Sequence, residues 1–287
     1  MDICLPKISA GLYLVSTPIG TASDITLRAL DLLKNGNVLV AEDTRVLKKL
    51  LKLHHIGLNG REVFSYHDYN AEDRRKKLVN LVKENKSVVL VSDAGTPLIA
   101  DPGYKLVQEM IKNNLSINSV PGPSAILAAL TVAGLPTNSF YFGGFVPSKL
   151  KAKETFFSNL IKLPSTLVFY ESSKRLVETL IVLRKIVQIN REIVVCRELT
   201  KKFEEVKRGS IDLVTEYFYK KERIKGEIVL LVAPPDKIVV SEDEIDKVFL
   251  RTSETVSFKD AVRIVAEKLN VSRKLVYDRA LKLKPGS

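Results

Sequence analysis

The sequence predicts an α/β protein: two α/β domains over residues 1–122 and 123–235, followed by a small helix-turn-helix-like unit over residues 236–287. Three observations carry this prediction. Short β-branched runs bounded by turn residues alternate with longer stretches of helical periodicity, the pattern of a largely parallel sheet covered by helices. The length of 287 residues is more than one hydrophobic core usually serves. The run Pro234-Pro235-Asp236 cannot continue a central strand and marks a linker ahead of a helical pattern.

In the first domain strands are expected at Leu12 to Val15, Val38 to Ala41, Val88 to Val91 and Ile117 to Val120. Their largely continuous apolar character suits strands covered on both faces. Between them, Ile25 to Leu33, Ala71 to Val82 and Tyr104 to Ile111 carry helical spacing. After Pro121-Gly122-Pro123 comes a helix of small residues, Ser124 to Ala133, with Ser124 placed to cap it. The second domain should have strands at Phe140 to Phe145, Thr166 to Tyr170, Ile193 to Arg197, Glu205 to Lys207 and Glu227 to Val232. Its helices should lie near Lys151 to Ile161, Lys174 to Val187 and Ile211 to Lys221. The last three strands are joined by short connections or one helix, so more of the pairing is expected to be antiparallel.

In the tail, Phe258, Ala261, Val262, Val265, Ala266 and Leu269 share one helical face. Asn270 and Val271 make a turn, Ser272 caps a second helix, and Leu275, Val276, Ala280 and Leu283 form its apolar stripe. Arg273, Lys274 and Arg279 fall on or beside that second helix, where a nucleic-acid reader needs them. A packing or dimerisation appendage with a solvated basic face fits the same pattern.

The net charge of +12 favours a polyanionic partner, since clustered Lys and Arg release counterions on meeting phosphates. The excess lies mainly in residues 145–235, with 18 basic against 11 acidic groups. The run Arg74-Arg75-Lys76-Lys77, and Lys201-Lys202 with Lys207-Arg208, are footholds for RNA, each alternatively a solvated face. Cys4 and Cys196 stand far apart with no CxxC spacing, so neither a disulfide framework nor a metal site is indicated. No run approaches the length of a membrane span and no leader pattern opens the chain, so a cytoplasmic protein with no membrane partner is expected.

Three Gly- and Pro-containing turns follow strands of the first sheet: Ser16-Thr17-Pro18-Ile19-Gly20, Ser92-Asp93-Ala94-Gly95-Thr96-Pro97 and Pro121-Gly122-Pro123-Ser124-Ala125. Open α/β sheets bind ligands at the carboxyl ends of their strands. None of the three is a dinucleotide or P-loop fingerprint, so a different nucleoside ligand is required. Small side chains at Ala94, Gly95 and Ala125 let the backbone approach a flat adenosine, and the hydroxyls of Thr96 and Ser124 suit its polar edges.

With these turns stand Ala41-Glu42-Asp43-Thr44-Arg45, Asp101-Pro102-Gly103, Phe169-Tyr170-Glu171-Ser172, Arg197-Glu198-Leu199-Thr200 and Lys225-Gly226-Glu227. In this ordered set the chain resembles the tetrapyrrole methylase superfamily from Leu12 to about Val232, and within it the ribosomal RNA small subunit methyltransferase I group. The resemblance implies two α/β domains of tetrapyrrole methylase type with a cofactor cleft between them, and a homodimer. It implies S-adenosyl-L-methionine as cofactor and 2'-O-methylation of a cytidine ribose in 16S rRNA. It also implies a pocket lined by Pro18, Asp93, Gly95, Thr96, Ile99, Ser124, Ala125, Tyr170, Glu171, Thr200, Glu227 and Ile228. Tetrapyrrole members carry Gly-Asp-Pro where this chain reads Gly95-Thr96-Pro97, which counts against a porphyrinoid substrate.

Methyl transfer from a sulfonium is an in-line displacement that needs alignment and no metal. A ribose hydroxyl also needs help in losing its proton. The candidate catalytic residues are Asp43, Arg45, Glu42 and His67: an imidazole is a group type suited to proton transfer, and Arg45 offers a fork of donors to a phosphate. Asp43 beside Arg45 serves equally well as a paired carboxylate that holds a loop. Asp68 and Asp93 are further polar candidates, and Tyr66 and Tyr69 are candidates for stacking on a base. Two other readings are a precorrin-type tetrapyrrole methyltransferase and a ligand-sensing nucleic-acid-binding regulator.

Overall fold

The computed structural model describes residues 8–67, 71–188, 190–235, 241–269 and 271–283. Cys4, Asp68, Tyr69, Asp236 and Asn270 lie outside them. The first compact unit runs to Pro235, and residues after it form a second.

The first sheet is built from β1 (Gly11–Val15), β2 (Val38–Ala41), β3 (Glu62–Ser65), β4 (Ser87–Val91) and β5 (Ile117–Val120), in the order β3-β2-β4-β1-β5 with every pair parallel. Successive side chains of a strand point to opposite faces, so two cores result. Leu12, Val38, Val40, Val88 and Leu90 pack with α3 (Ala71–Lys83) and α4 (Tyr104–Lys112), through Leu78, Val82, Leu106 and Met110. Tyr13, Val15, Leu39, Ala41, Val89 and Val91 face α1 (Leu27–Asn35) and α2 (Thr44–Leu53), through Ala29, Leu32, Leu33, Leu47 and Leu51. Burial of each larger aliphatic side chain contributes about 1.5–3 kcal/mol. The sequence reading contains no strand at Glu62–Ser65. That strand is short, lies at the sheet edge and buries only Phe64, so neither alternation nor a continuous apolar run marks it.

The second sheet contains β6 (Phe140–Phe145), β7 (Thr166–Ser172), β8 (Glu192–Arg197), β9 (Glu205–Ser210) and β10 (Glu227–Val232), in the order β6-β7-β10-β8-β9. Only β6 and β7 are parallel; the other three pairs are antiparallel, as the short connections predict. One face carries α6 (Leu150–Leu160), α7 (Leu176–Ile186) and α8 (Ile211–Tyr219) over Phe157, Phe169, Leu180, Leu183, Val195, Phe218 and Leu230. The opposite face packs Val168, Val194, Cys196, Val229 and Leu231 against α5 (Ala125–Ala133), and Ile19 from beyond β1 joins this core. Ser124 holds the N-cap position of α5, but its side chain makes no capping bond.

The second unit is a bundle of α9 (Glu242–Ser253), α10 (Phe258–Leu269) and α11 (Arg273–Leu283). Ile245, Phe249, Ala261, Val265, Val276 and Ala280 form its core, and the Ser272 hydroxyl accepts from the Leu275 N–H as a cap. Two expectations for this unit change. Leu275 is exposed rather than part of the apolar stripe. Arg279 binds Asp246 and Glu242 across the bundle, so its charge fastens α11 to α9 rather than facing solvent.

Candidate active site

The strand order places β4, β1 and β5 side by side, so the three Gly- and Pro-containing turns emerge together at one sheet edge. Short hydrogen bonds join them. Thr17 and Gly95 exchange both backbone bonds, at 2.9 and 3.0 Å, and the Thr17 hydroxyl donates to the Ser92 carbonyl at 3.1 Å. The Thr96 hydroxyl lies 3.1 Å from that of Ser16 and donates to the Pro123 carbonyl at 3.2 Å. Thr96 therefore ties all three turns to one another, where the sequence reading offers its hydroxyl to a ligand.

The loop after β4 takes positive φ four times, at Gly95 (φ 77°), Leu98 (φ 72°), Ala100 (φ 64°) and Gly103 (φ 134°). Two of these are not glycine, and such backbone persists only where the surroundings over-determine it. The loop closes one side of a cleft of about 390 Å3, within the range of small-molecule sites. Of the residues expected there, Asp93, Gly95, Thr96, Ile99, Ser124 and Ala125 line the cleft from the first sheet's edge and from the start of α5. Tyr170, Glu171, Glu227 and Ile228 line it from β7 and β10. Pro18 and Thr200 are not in the lining. Thr200 instead receives the Thr21 N–H on its hydroxyl at 3.2 Å and the Thr21 hydroxyl on its carbonyl, stitching the first turn to the second sheet.

Two expected contacts have other partners. Glu171 is buried, and its carboxylate accepts from the Ser172 N–H at 2.6 Å, from Arg175 at 3.0 Å and from the Thr179 hydroxyl at 2.5 Å, which fixes the end of β7 to α7. Glu227 pairs with Lys201 at 2.7 Å.

Several lining residues escaped the sequence reading, Asp101 above all. Burial pushes its carboxyl up to about 6; the nearby Asp93 charge adds to this, against a hydrogen bond from Ser92. Its only sequence signal was membership of the Asp101-Pro102-Gly103 block. Phe145 also lines the cleft and stands edge-on to Tyr170, with ring centroids 5.3 Å apart. Burial, with Asp101 and Glu227 nearby, pushes the Tyr170 hydroxyl up to about 12. Burial does the same to the Cys196 thiol, another lining residue.

The expected catalytic group sits beside the cleft. Asp93 accepts the Asp43 N–H at 3.0 Å, and Asp43 caps α2 by accepting the Arg45 N–H at 2.8 Å. The same carboxylate grips the Arg45 guanidinium, which holds it down at about 2 and removes it as a base near neutrality. Arg45 itself is exposed. The backbone places His67 near Glu42, since the Tyr66 N–H donates to the Ala41 carbonyl; neither His67 nor Glu42 lines the cleft. Tyr66 is buried in the first sheet's core and has no face for a base. Arg208 donates to the Val132 and Ala133 carbonyls at the end of α5, and Lys201 pairs with Glu198 and Glu227, which withdraws both from the expected RNA footholds. Among the described residues no cluster of His, Cys, Asp or Glu can hold a metal ion, and no helix is long and apolar enough to cross a membrane.

A parallel sheet whose linked turns face a mixed sheet across a cleft of small-molecule size defines a two-sheet α/β fold with a ligand site between the sheets. The chain belongs to the tetrapyrrole (corrin/porphyrin) methylase family, whose model matches residues 11–214, and within it to the ribosomal RNA small subunit methyltransferase I group. It is 41% identical over 273 residues to the protein of that name from Rickettsia prowazekii, covering 94% of this chain and 96% of the relative. With the one from Mesorhizobium japonicum it shares 39% over 286 residues, covering 100% and 96%. A model described as the RsmI C-terminal HTH domain matches residues 239–284. Among solved structures, uroporphyrin-III C-methyltransferase from Thermus thermophilus complexed with S-adenosylhomocysteine aligns with a TM-score of 0.54 at 21% identity, covering 77% of this chain and 96% of that one. Diphthine synthase aligns with a TM-score of 0.61 at 15% identity, covering 77% and 89%. These two likenesses concern the fold alone.

Proposed function

We propose that this chain transfers a methyl group from S-adenosyl-L-methionine to the ribose 2'-oxygen of a cytidine in 16S rRNA of the small subunit. The observation that carries this reading is the cleft where three cross-linked turns on adjacent parallel strands meet β7 and β10. Small residues at Ala94, Gly95 and Ala125 leave room for a flat adenosine, with the free side of Ser124 beside it. Asp101 supplies negative charge for a cationic ligand. The names of the relatives supply the RNA.

S-Adenosylmethionine would be held by Ala94, Gly95, Asp101, Ser124 and Ala125 and would supply an activated methyl, so that the ribose oxygen would gain the C–O bond as the S–CH3 bond breaks and the hydroxyl proton would pass to water. The protein's share is alignment. Asp43 acts as a positioning residue: ionised and paired, it holds Arg45 at the cleft's edge, where the guanidinium meets an RNA phosphate. Arg45→Ala should lower methyl transfer about tenfold or more with folding retained, because hydrogen bonds to charged groups contribute about 1.5–3 kcal/mol. Turnover equal to that of the parent protein would remove Arg45 from the site.

The function itself is tested by incubating the protein and methyl-labelled S-adenosylmethionine with unmodified small subunits and mapping the label. The expected result is a single 2'-O-methylcytidine in 16S rRNA; unlabelled rRNA refutes the proposal.

A cytoplasmic homodimer belongs to the same reading. Its support is the edge strand β6, where Phe140 and Tyr141 are each 43% exposed, since an open apolar edge is normally covered. Tyr141→Lys should lower the sedimentation-derived mass toward one chain; an unchanged mass places the interface elsewhere. The second unit offers Lys274 to RNA, Arg279 being held within the bundle.

A further inference from the structure

A second hollow, of about 260 Å3, is lined by Arg197, Phe203, Lys221, Arg223, Ile224 and Lys225. The two sites share chain segments. Cys196 and Gly226 line the cleft, and their neighbours in sequence, Arg197 and Lys225, line the hollow, with Arg197 on the opposite face of β8, toward Tyr217 of α8. The Arg197 guanidinium also donates to the Lys225 carbonyl at 3.1 Å, so the walls are braced together.

The lining combines four cations with one aromatic ring. Two of the cations are held from below: Glu205 accepts from Arg197 at 2.8 Å, from Lys221 at 2.5 Å and from the Tyr217 hydroxyl at 2.5 Å. Burial raises the Glu205 carboxyl, but these donors outweigh it and hold the group down at about 2, so it stays ionised as their anchor. Arg223 and Lys225 are exposed and have no acidic partner among the described residues. Phe203 is 64% exposed, on a turn, with the Lys202 ammonium 5.6 Å from its ring centroid. Nearby on β9, Lys207 stands 4.4 Å from the Tyr217 ring, extending the positive surface.

An exposed ring beside two cations that lack carboxylate partners, Arg223 and Lys225, has the chemistry of single-stranded nucleic-acid sites, in which bases stack on aromatic faces while a basic groove follows the phosphates. Lys201, Arg175 and Arg208, by contrast, are held by partners within the fold.

We propose that this hollow holds one nucleotide step of single-stranded RNA flanking the methylated residue, with its base on Phe203 and its phosphate between Arg223 and Lys225. This rests on the rRNA reading above and adds to it a subsite that keeps the neighbouring strand beside the cleft. Stacking of this kind tolerates any base, so the contribution is to affinity and alignment rather than to sequence choice.

The test uses the full-length protein, a labelled single-stranded RNA of about ten nucleotides, and S-adenosylmethionine titrated separately. Phe203→Ala should weaken RNA binding about tenfold, with its salt dependence parallel to that of the parent protein. Arg223→Ala should weaken binding and flatten the slope of log K against log salt by about 0.7–1. Both should bind S-adenosylmethionine as the parent does. The proposal is overturned if the parent binds the RNA and Phe203→Ala binds it equally well, or if cofactor affinity falls alongside RNA affinity. It is also overturned if Phe203→Ala changes the oligomeric state and leaves RNA affinity intact, since the ring would then be a protein contact. RNA affinity that depends on Phe203 and Arg223, alongside subunits that accept no label, sustains the hollow and refutes the methylation reading instead.

Discussion

Asp101→Asn should bind S-adenosylmethionine about 10- to 100-fold more weakly than the parent protein, with its thermal transition unchanged. The size follows from a charge-assisted contact inside a partly closed cleft, and the unchanged stability from the near-identical shape of Asn. The carboxyl's own setting adds a pH signature. Burial raises it to about 6, whereas a cationic ligand requires the ionised form. Above pH 6 the group is already ionised and affinity is level. Below it, binding must displace a proton, and affinity falls about tenfold per unit until it meets that of Asp101→Asn. The variant should show no such fall. Calorimetric titrations across pH 5–8 decide the matter; parallel profiles for the two proteins would show that Asp101 does not face the cation.

Replacing Glu171 by Ala should cost about 3 kcal/mol, at the low end for breaking a buried ion pair because Arg175 keeps some exposure and can turn to water. The Thr179 hydroxyl and the Ser172 N–H have no such escape. In a protein of this size that loss corresponds to a fall of about 6–12 °C in Tm. Glu171→Gln should fall between Ala and the parent, since its amide oxygen still accepts from Thr179 while its NH2 group confronts other donors. A denaturation midpoint for Glu171→Ala equal to the parent's would contradict this account.

The contrast between these two carboxylates shows what a sequence can and cannot convey. The turns at Pro18, Gly95 and Pro121 were legible because Gly and Pro after apolar runs signal strand ends, and those ends share one sheet edge. Val88 to Val91 was legible as a strand because both its faces are covered, whereas Glu62–Ser65 at the edge was not. Partners distant along the chain left no local trace. Arg208 reaches back 76 residues to Val132, and Arg279 reaches 33 to Asp246, so both read as free surface charge. Tyr66 is an apolar core residue whose neighbours in sequence are polar. Asp101 and Glu171 look equally available in sequence, yet one lacks a cationic partner and the other has three donors.

Cys196 gives the cleft a chemical property of its own. A sulfonium methyl donor is an electrophile, and a thiolate is the most reactive nucleophile a protein offers it. With its thiol pushed up to about 12 by burial, Cys196 stays protonated at neutral pH. The apolar packing around Cys196 thus keeps this wall of the cleft in its weakly nucleophilic thiol form.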